Sequence, residues 1–194
     1  VPLGVGSAIF IAELLPPRTG AAARATLELL AGIPSIVYGL LGLAVLVPWL
    51  EHTFDVLTGR TILAAGVLLG LMVLPTVSSL AEEALRGVPR QRREAAHGLG
   101  LTRFEVIRFC VLPAALPGIA AGALLGLGRA LGETMATMLV IGSLDRLPAP
   151  LYNVLVPAQG LTSKLGREAA EAAYGSPQWS ALMALGLVLF VLVL

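Results

Sequence analysis

GVPRQRREAAHGLGLTRFEVIRFCVLPAALPG, residues Gly87 to Gly118, joins two apolar runs, and its reading decides the architecture. Proline suits the first turn of a helix because the amide it lacks would have no partner there, so Pro89 opens a helix that Gly98 and Gly100 end. Thr102 and Glu105 then have the T-x-x-E spacing of a capping box, in which hydroxyl and carboxylate satisfy orphan backbone amides and start a second helix. The stretch is predicted as helix, tight turn, helix. A short charged helix between apolar flanks is either a handle for another protein or a solvated connector, and spacing alone leaves both open.

Outward from this stretch, composition sets the medium. Hydrophobic residues make up 57% of the chain, charged residues only 13%, and the mean hydropathy is +0.88, outside the range of a water-soluble domain. The net charge of +1 gives no argument for nucleic acid. One cysteine, Cys110, cannot form a disulfide within the chain. The chain opens on Val1 in an apolar stretch and closes on the equally apolar LGLVLFVLVL, so both ends read as cuts in a longer protein, with no cleavable signal peptide visible.

Apolar segments lie at Val1–Leu15, Leu29–Leu50, Thr61–Ala81, Val111–Gly142 and Ser180–Leu194. Roughly 20 helical residues cross a bilayer, so the middle three are expected to span and the outer two to be parts of spans. The fourth run exceeds one straight crossing and carries Pro113 and Pro117, so its first turns are expected at the interface or in a kink. The expected fold is an all-α membrane protein: one transmembrane domain over residues 1–194, a connecting loop over 82–110 and another over 143–178.

Basic residues set the orientation, since loops rich in Lys and Arg stay in the cytoplasm. The first and third connections hold Arg18, Arg24, Arg86, Arg90, Arg92, Arg93, Arg103 and Arg108; the second and fourth hold only Arg60, Arg146, Lys164 and Arg167. The first and third are expected to be cytoplasmic, which puts Trp49 and Trp179 at the outer interface that indole favours. In the outer connection Leu161, Leu165, Ala169 and Ala172 recur at helical spacing, predicting a short surface helix over Leu161–Ala173 with an apolar face on the membrane domain and its charges outward.

Charge also appears where the medium forbids it. GRALGETMAT, residues Gly128 to Thr137, puts Arg129 and Glu133 inside an apolar run, where each charge costs about 2.5 to 3.5 kcal/mol at the bilayer centre. Read as one helix, Arg129, Glu133 and Thr137 recur every fourth residue on one face, beside a small-residue strip of Gly118, Gly122, Gly126 and Ala130 that lets a neighbouring backbone approach closely. That face turns to a helix interface or a transport path, and the pair is either a buried bridge fixing register or a functional site. Ser35 and Tyr38 interrupt another span and either line a path or bond their own backbone. Glu13, near a helix end, reads as a snorkelling residue. His52 and His97 have no companions at metal-ligand spacing, so no metal site is proposed. No G-x-x-x-x-G-K-[ST] occurs, so no catalysis on nucleotide is expected in this chain.

Glu94, Ala95 and Ala96, then Gly100, then Leu112 and Pro113, resemble the EAA signature of ABC importer permeases, with Cys110 standing where Ile or Val is usual. AIFIAELLP, ELLAGIPSIVYGLLGL, VLPAALPGI, LGLGRALGETMAT and WSALMALGLVLF are further similar to the phosphate importer permeases of the PstC type. Thr134, Met135 and Ala136 follow the Glu where the related PstA type usually has Thr-Ala-Pro.

The resemblance implies a type I importer permease bundle with about five of six transmembrane helices, in the bacterial inner membrane. It implies coupling to the ATPase through Glu94, Ala95, Ala96 and Gly100, and an oxyanion path that includes Arg129, Glu133, Thr134 and Thr137, with Ser35 and Tyr38 as further candidates. The guanidinium fork would take a tetrahedral oxyanion by paired hydrogen bonds, and Glu133 would keep the anion from binding too tightly to leave. Implied partners are a homologous PstA-like permease, two cytoplasmic ATPase subunits, an extracytoplasmic phosphate-binding protein, inorganic phosphate and membrane lipid, with no cofactor in this chain. Alternatives are a permease for sulfate or molybdate, and a proton-coupled secondary transporter using Arg129 and Glu133.

Overall fold

The computed structural model describes residues 1–145 and 148–194; Arg146, counted above in the fourth connection, lies outside the described residues. Among the described residues the chain is helical, with one isolated bridge pairing Gly142 and Ala158 and no strand. The helices are α1 (Pro2–Leu14), α2 (Pro17–Ala31), α3 (Ser35–Phe54), α4 (Ile62–Arg86), α5 (Arg90–Gly98), α6 (Arg103–Leu131), α7 (Met135–Val140), α8 (Leu161–Glu168) and α9 (Pro177–Val193). Three of them, α3, α4 and α6, are long and apolar enough to cross a membrane; α1 and α9 are apolar but shorter.

Two expected spans are corrected. The run Leu29–Leu50 is not one helix: α2 ends at Ala31 and Pro34 caps α3, because the proline ring excludes the preceding residue from the helical region. The run Val111–Gly142 is displaced and divided. Its helix begins at Arg103, eight residues early, and ends at Leu131. Prolines shape the helices in another way. π-Helical turns at Phe10–Leu14, Gly42–Leu46 and Ile107–Val111 each close on an amide immediately before a proline, Leu15 before Pro16, Val47 before Pro48 and Leu112 before Pro113. A wider turn makes room for a ring that would otherwise strike the carbonyl four residues back.

Two compact units divide the chain. The first comprises Val1–Gly32 and Met72–Leu127. Here the small-residue strip of α6 meets α4: a Cβ added at Gly118 would lie 2.6 Å from Ala84 Cβ, at Gly122 2.8 Å from Leu80 Cβ, and at Gly126 2.5 Å from Val77 Cγ2. Only glycine permits that approach. On the other flank of α4, the buried Ser78 hydroxyl lies 2.6 Å from that of Ser7 and donates to Gly4 O at 3.1 Å, so the hydroxyls of α1 and α4 satisfy each other away from water. Ala8, Ala81, Leu85, Val88, Ala96, Val106, Val111, Ala115 and Ile119 form the core of this unit.

The second unit comprises Ile33–Leu71 and Gly128–Leu194. Helix α3 packs on α7, where Gly39 lies against Ala136 and Leu139. The first amides of α4, which have no partner within the helix, donate to the connection between α7 and α8: Ile62 N to Val156 O at 3.2 Å and Leu63 N to Val154 O at 2.9 Å.

Candidate functional site

Each unit carries one group of the residues singled out in the sequence. In the first unit α5 begins after Pro89 and ends at Gly98; Gly100, at φ +83°, makes the left-handed turn that leads to α6. Thr102 then caps α6 with the full capping box, its hydroxyl accepting from Glu105 N at 3.4 Å while Glu105 Oε2 accepts from Thr102 N at 2.8 Å. Helix, turn and helix stand as the spacing predicts.

The EAA residues divide between core and surface. Ala96 is 7% exposed and sits in the core, whereas Glu94 and Ala95 are exposed. Ala96 is the anchor of α5. The polar anchor is Arg93, whose Nη1 donates to both carboxylate oxygens of Glu13 at 2.7 and 2.8 Å and whose Nη2 donates to Leu85 O at 2.7 Å. Arg103 donates to the Glu13 backbone carbonyl. Glu13 is only 8% exposed, so it is a buried ion-pair partner and does not snorkel to water as its place near a helix end had predicted. A second buried carboxylate, Glu82 at 3% exposed, takes Arg24 at 2.5 Å and also Arg86 on the next turn. Neither partnership is visible in the sequence, because Glu13 and Arg93 are 80 residues apart and Arg24 and Glu82 are 58 apart.

In the second unit the expected single face of Arg129, Glu133 and Thr137 does not form. Helix α6 ends at Leu131, Gly132 to Thr134 leave the helix, and α7 starts at Met135. Arg129 is thereby in the last turn of one helix and Glu133 just ahead of the next, the ends where a cation and an anion respectively complement the helix dipole. Glu133 Oε1 accepts from Ala136 N at 3.1 Å. Hydroxyls bind the carbonyls at the interruption: Thr137 donates to Glu133 O at 3.0 Å and to Thr134 O at 2.9 Å, and Thr162 donates to Glu133 O at 2.7 Å. Arg129, Glu133 and Thr134 are half-buried and Thr137 is buried. Ser35 and Tyr38, both half-buried, lie on α3, the helix that packs on α7.

Thr162 belongs to α8, which the sequence predicted over Leu161–Ala173 on an apolar face. The helix is shorter, ending at Glu168 with turns beyond, and its buried residues are Thr162 and Ser163. Gly166 abuts the interruption, since a Cβ there would lie 2.7 Å from Thr134 Cγ2. The other side of α8 is pinned by charge: Lys164 Nζ lies 2.8 Å from Asp145 and 2.9 Å from Glu168, and Arg167 donates to Ser143 O at 2.9 Å. Hydrogen bonds to Asp145 and then Glu168 raise the Lys164 pKa, and the bond to Lys164 lowers that of Glu168.

A helix interruption flanked by opposite charges in one unit and a glycine-ended surface helix in the other suit a transport subunit. Residues 1–194 match the family model described as the binding-protein-dependent transport system inner membrane component. The chain belongs to that family. It is 39% identical over 211 residues to the phosphate transport system permease protein PstC of Mesorhizobium japonicum, covering 99% of this chain and 63% of the relative. It is 38% identical to the PstC of Haemophilus influenzae, with 99% and 65% covered, and 38% identical to the probable ABC transporter permease YqgH of Bacillus subtilis, with 98% and 61% covered. The chain thus spans 61 to 65% of the length of these curated relatives. Among solved structures it is similar to an inward-facing MetNI methionine ABC transporter, with a TM-score of 0.70 at 21% identity over 99% of this chain and 81% of that one. The fold is that of a type I ABC importer permease, as expected.

Proposed function

We propose that this inner membrane component is a permease subunit of an ATP-driven phosphate importer, with the helix interruption at Gly132–Thr134 on the anion's path. The observation that carries the reading is the interruption itself: a guanidinium and a carboxylate stand at two helix ends within an otherwise apolar stretch, with Thr134 and Thr137 beside them. The relatives, two of them phosphate permeases, supply the choice of anion. Arg129 would donate its paired N–H groups to phosphate oxygens, and Glu133 would limit the dwell time of a dianion. Ser35 and Tyr38 would join the path from α3.

In the same reading the connection holding α5 faces the cytoplasm, and an ATPase subunit takes Glu94 and Ala95 while Ala96 and Arg93 hold the helix to the membrane domain. Hydrolysis belongs to two such ATPase subunits, a homologous PstA-like permease completes the path, and a phosphate-binding protein delivers the anion from the opposite side. Membership of a binding-protein-dependent transport family leaves the proton-coupled secondary transporter without support.

Phosphate uptake in cells with no other phosphate importer tests the site. Arg129→Ala, which leaves Glu133 to repel a dianion, abolishes uptake; Arg129→Lys, which keeps charge without the planar fork, retains part of it with weaker discrimination between oxyanions. An immunoblot of the membrane fraction checks insertion. Near-normal uptake by a well-inserted Arg129→Ala protein would contradict the assignment.

A further inference from the structure

Helix α5 has nine residues, and only Ala96 enters the core. An alanine side chain gives a short helix little grip, so its position depends on polar contacts. These converge on Glu13. The carboxylate receives Arg93 from α5 in a bond to each oxygen, while the backbone carbonyl of the same residue receives Arg103 from the first turn of α6. The second arm of Arg93 reaches Leu85 O, in the last turn of α4, where a carbonyl has no partner within its own helix. Three helices therefore meet at Glu13, since α1 carries it and α5 and α6 each send an arginine, and Arg93 ties α5 to the end of α4 as well. Glu13 lies in the π-helical turn that closes just before Pro16, so its carbonyl is available to Arg103 at a helix end.

We infer that Glu13 is a positioning residue for the ATPase-docking helix, fixing α5 to the end of α1 so that a displacement of α5 reaches the apolar helix α1 as a rigid movement. This rests on the reading of α5 as the segment the ATPase engages. Glu13 touches neither nucleotide nor anion. Its carboxylate is buried and its partner is a charge, so removing one member leaves the other without compensation in a poorly hydrated place.

The test uses the full-length protein assembled with its partner permease, ATPase subunits and binding protein in proteoliposomes. Phosphate moved per ATP hydrolysed is measured for wild type, Glu13→Gln, Arg93→Gln and the double variant, with Gly100→Val as the control on the reading itself. Glu13→Gln is expected to lower the ratio at least fivefold while hydrolysis continues, and the double variant to be no worse than either single one. Amide hydrogen exchange across residues 90–98 is expected to quicken at least tenfold in Glu13→Gln, and the same exchange is read on Glu13→Asp, at least twofold faster, where Gln prevents assembly. An unchanged ratio and unchanged exchange in Glu13→Gln, alongside uncoupling by Gly100→Val, would overturn the positioning role alone. An unchanged ratio in Gly100→Val would overturn the docking assignment on which it rests.

Discussion

Ala95 and Ala96 are the same residue type in adjacent positions with opposite surroundings, and their difference is where the surface helix can be tested at single-residue scale. Ala96→Leu forces three further carbons into the core of the first unit and is expected to destabilise the protein by about 1 to 3 kcal/mol. Ala95→Leu, on an exposed position, should leave stability within about 0.5 kcal/mol but obstruct a docked ATPase. Thermal unfolding in detergent separates the two, and ATPase association is then expected to be lost in the second variant with its melting temperature intact. At this scale local partners were legible and distant ones were not. Thr102 and Glu105 declare their contact because a capping box is built within one turn. Glu13 and Arg93 do not, since tertiary packing alone brings them together, and a glutamate near a helix end reads the same whether it meets water or a buried arginine.

At the scale of elements, the glycine strip of α6 was readable as periodicity, and its close approach to α4 follows from the absent side chains. The interruption after Leu131 was not readable. Gly132 is the weakest helix former at that point, no proline marks it, and one of the two hydroxyls that bind Glu133 O comes from 29 residues away. Thr162→Val keeps the shape and removes the donor to Glu133 O; a loss of about 1 kcal/mol is expected, with the KM for phosphate uptake rising, while Thr162→Ser restores both. Equal KM values for the valine and serine variants would disconnect α8 from the site. The charges that pin α8 also set its pH range. The lowered Glu168 pKa contributes stability that is complete above the ordinary value of 4.5 and is lost as pH falls through the folded value. The raised Lys164 pKa contributes stability that is complete below 10.5 and is lost as pH rises through its folded value. Amide exchange in residues 161–168 is accordingly expected to be constant, after correction for intrinsic rate, between those limits and to quicken outside them; quickening near neutrality would contradict the cluster's role.

At the scale of the whole molecule, membrane residence and helical class follow from composition, and the family from a spaced motif; helix ends were misplaced because apolar runs and helices need not coincide. The run from Leu29 crosses a helix boundary at Pro34, and the helix ending at Leu131 starts within a charged segment that hydropathy assigns to a loop. In the proposed function ATP drives phosphate through this subunit. Uptake of radiolabelled phosphate into proteoliposomes holding the full-length protein, its partner permease, the ATPase subunits and the binding protein tests it most directly. Uptake is predicted to require ATP and the binding protein and to be unaffected by excess sulfate or molybdate. Uptake driven by a proton gradient without ATP, or equal uptake of labelled sulfate, would contradict it.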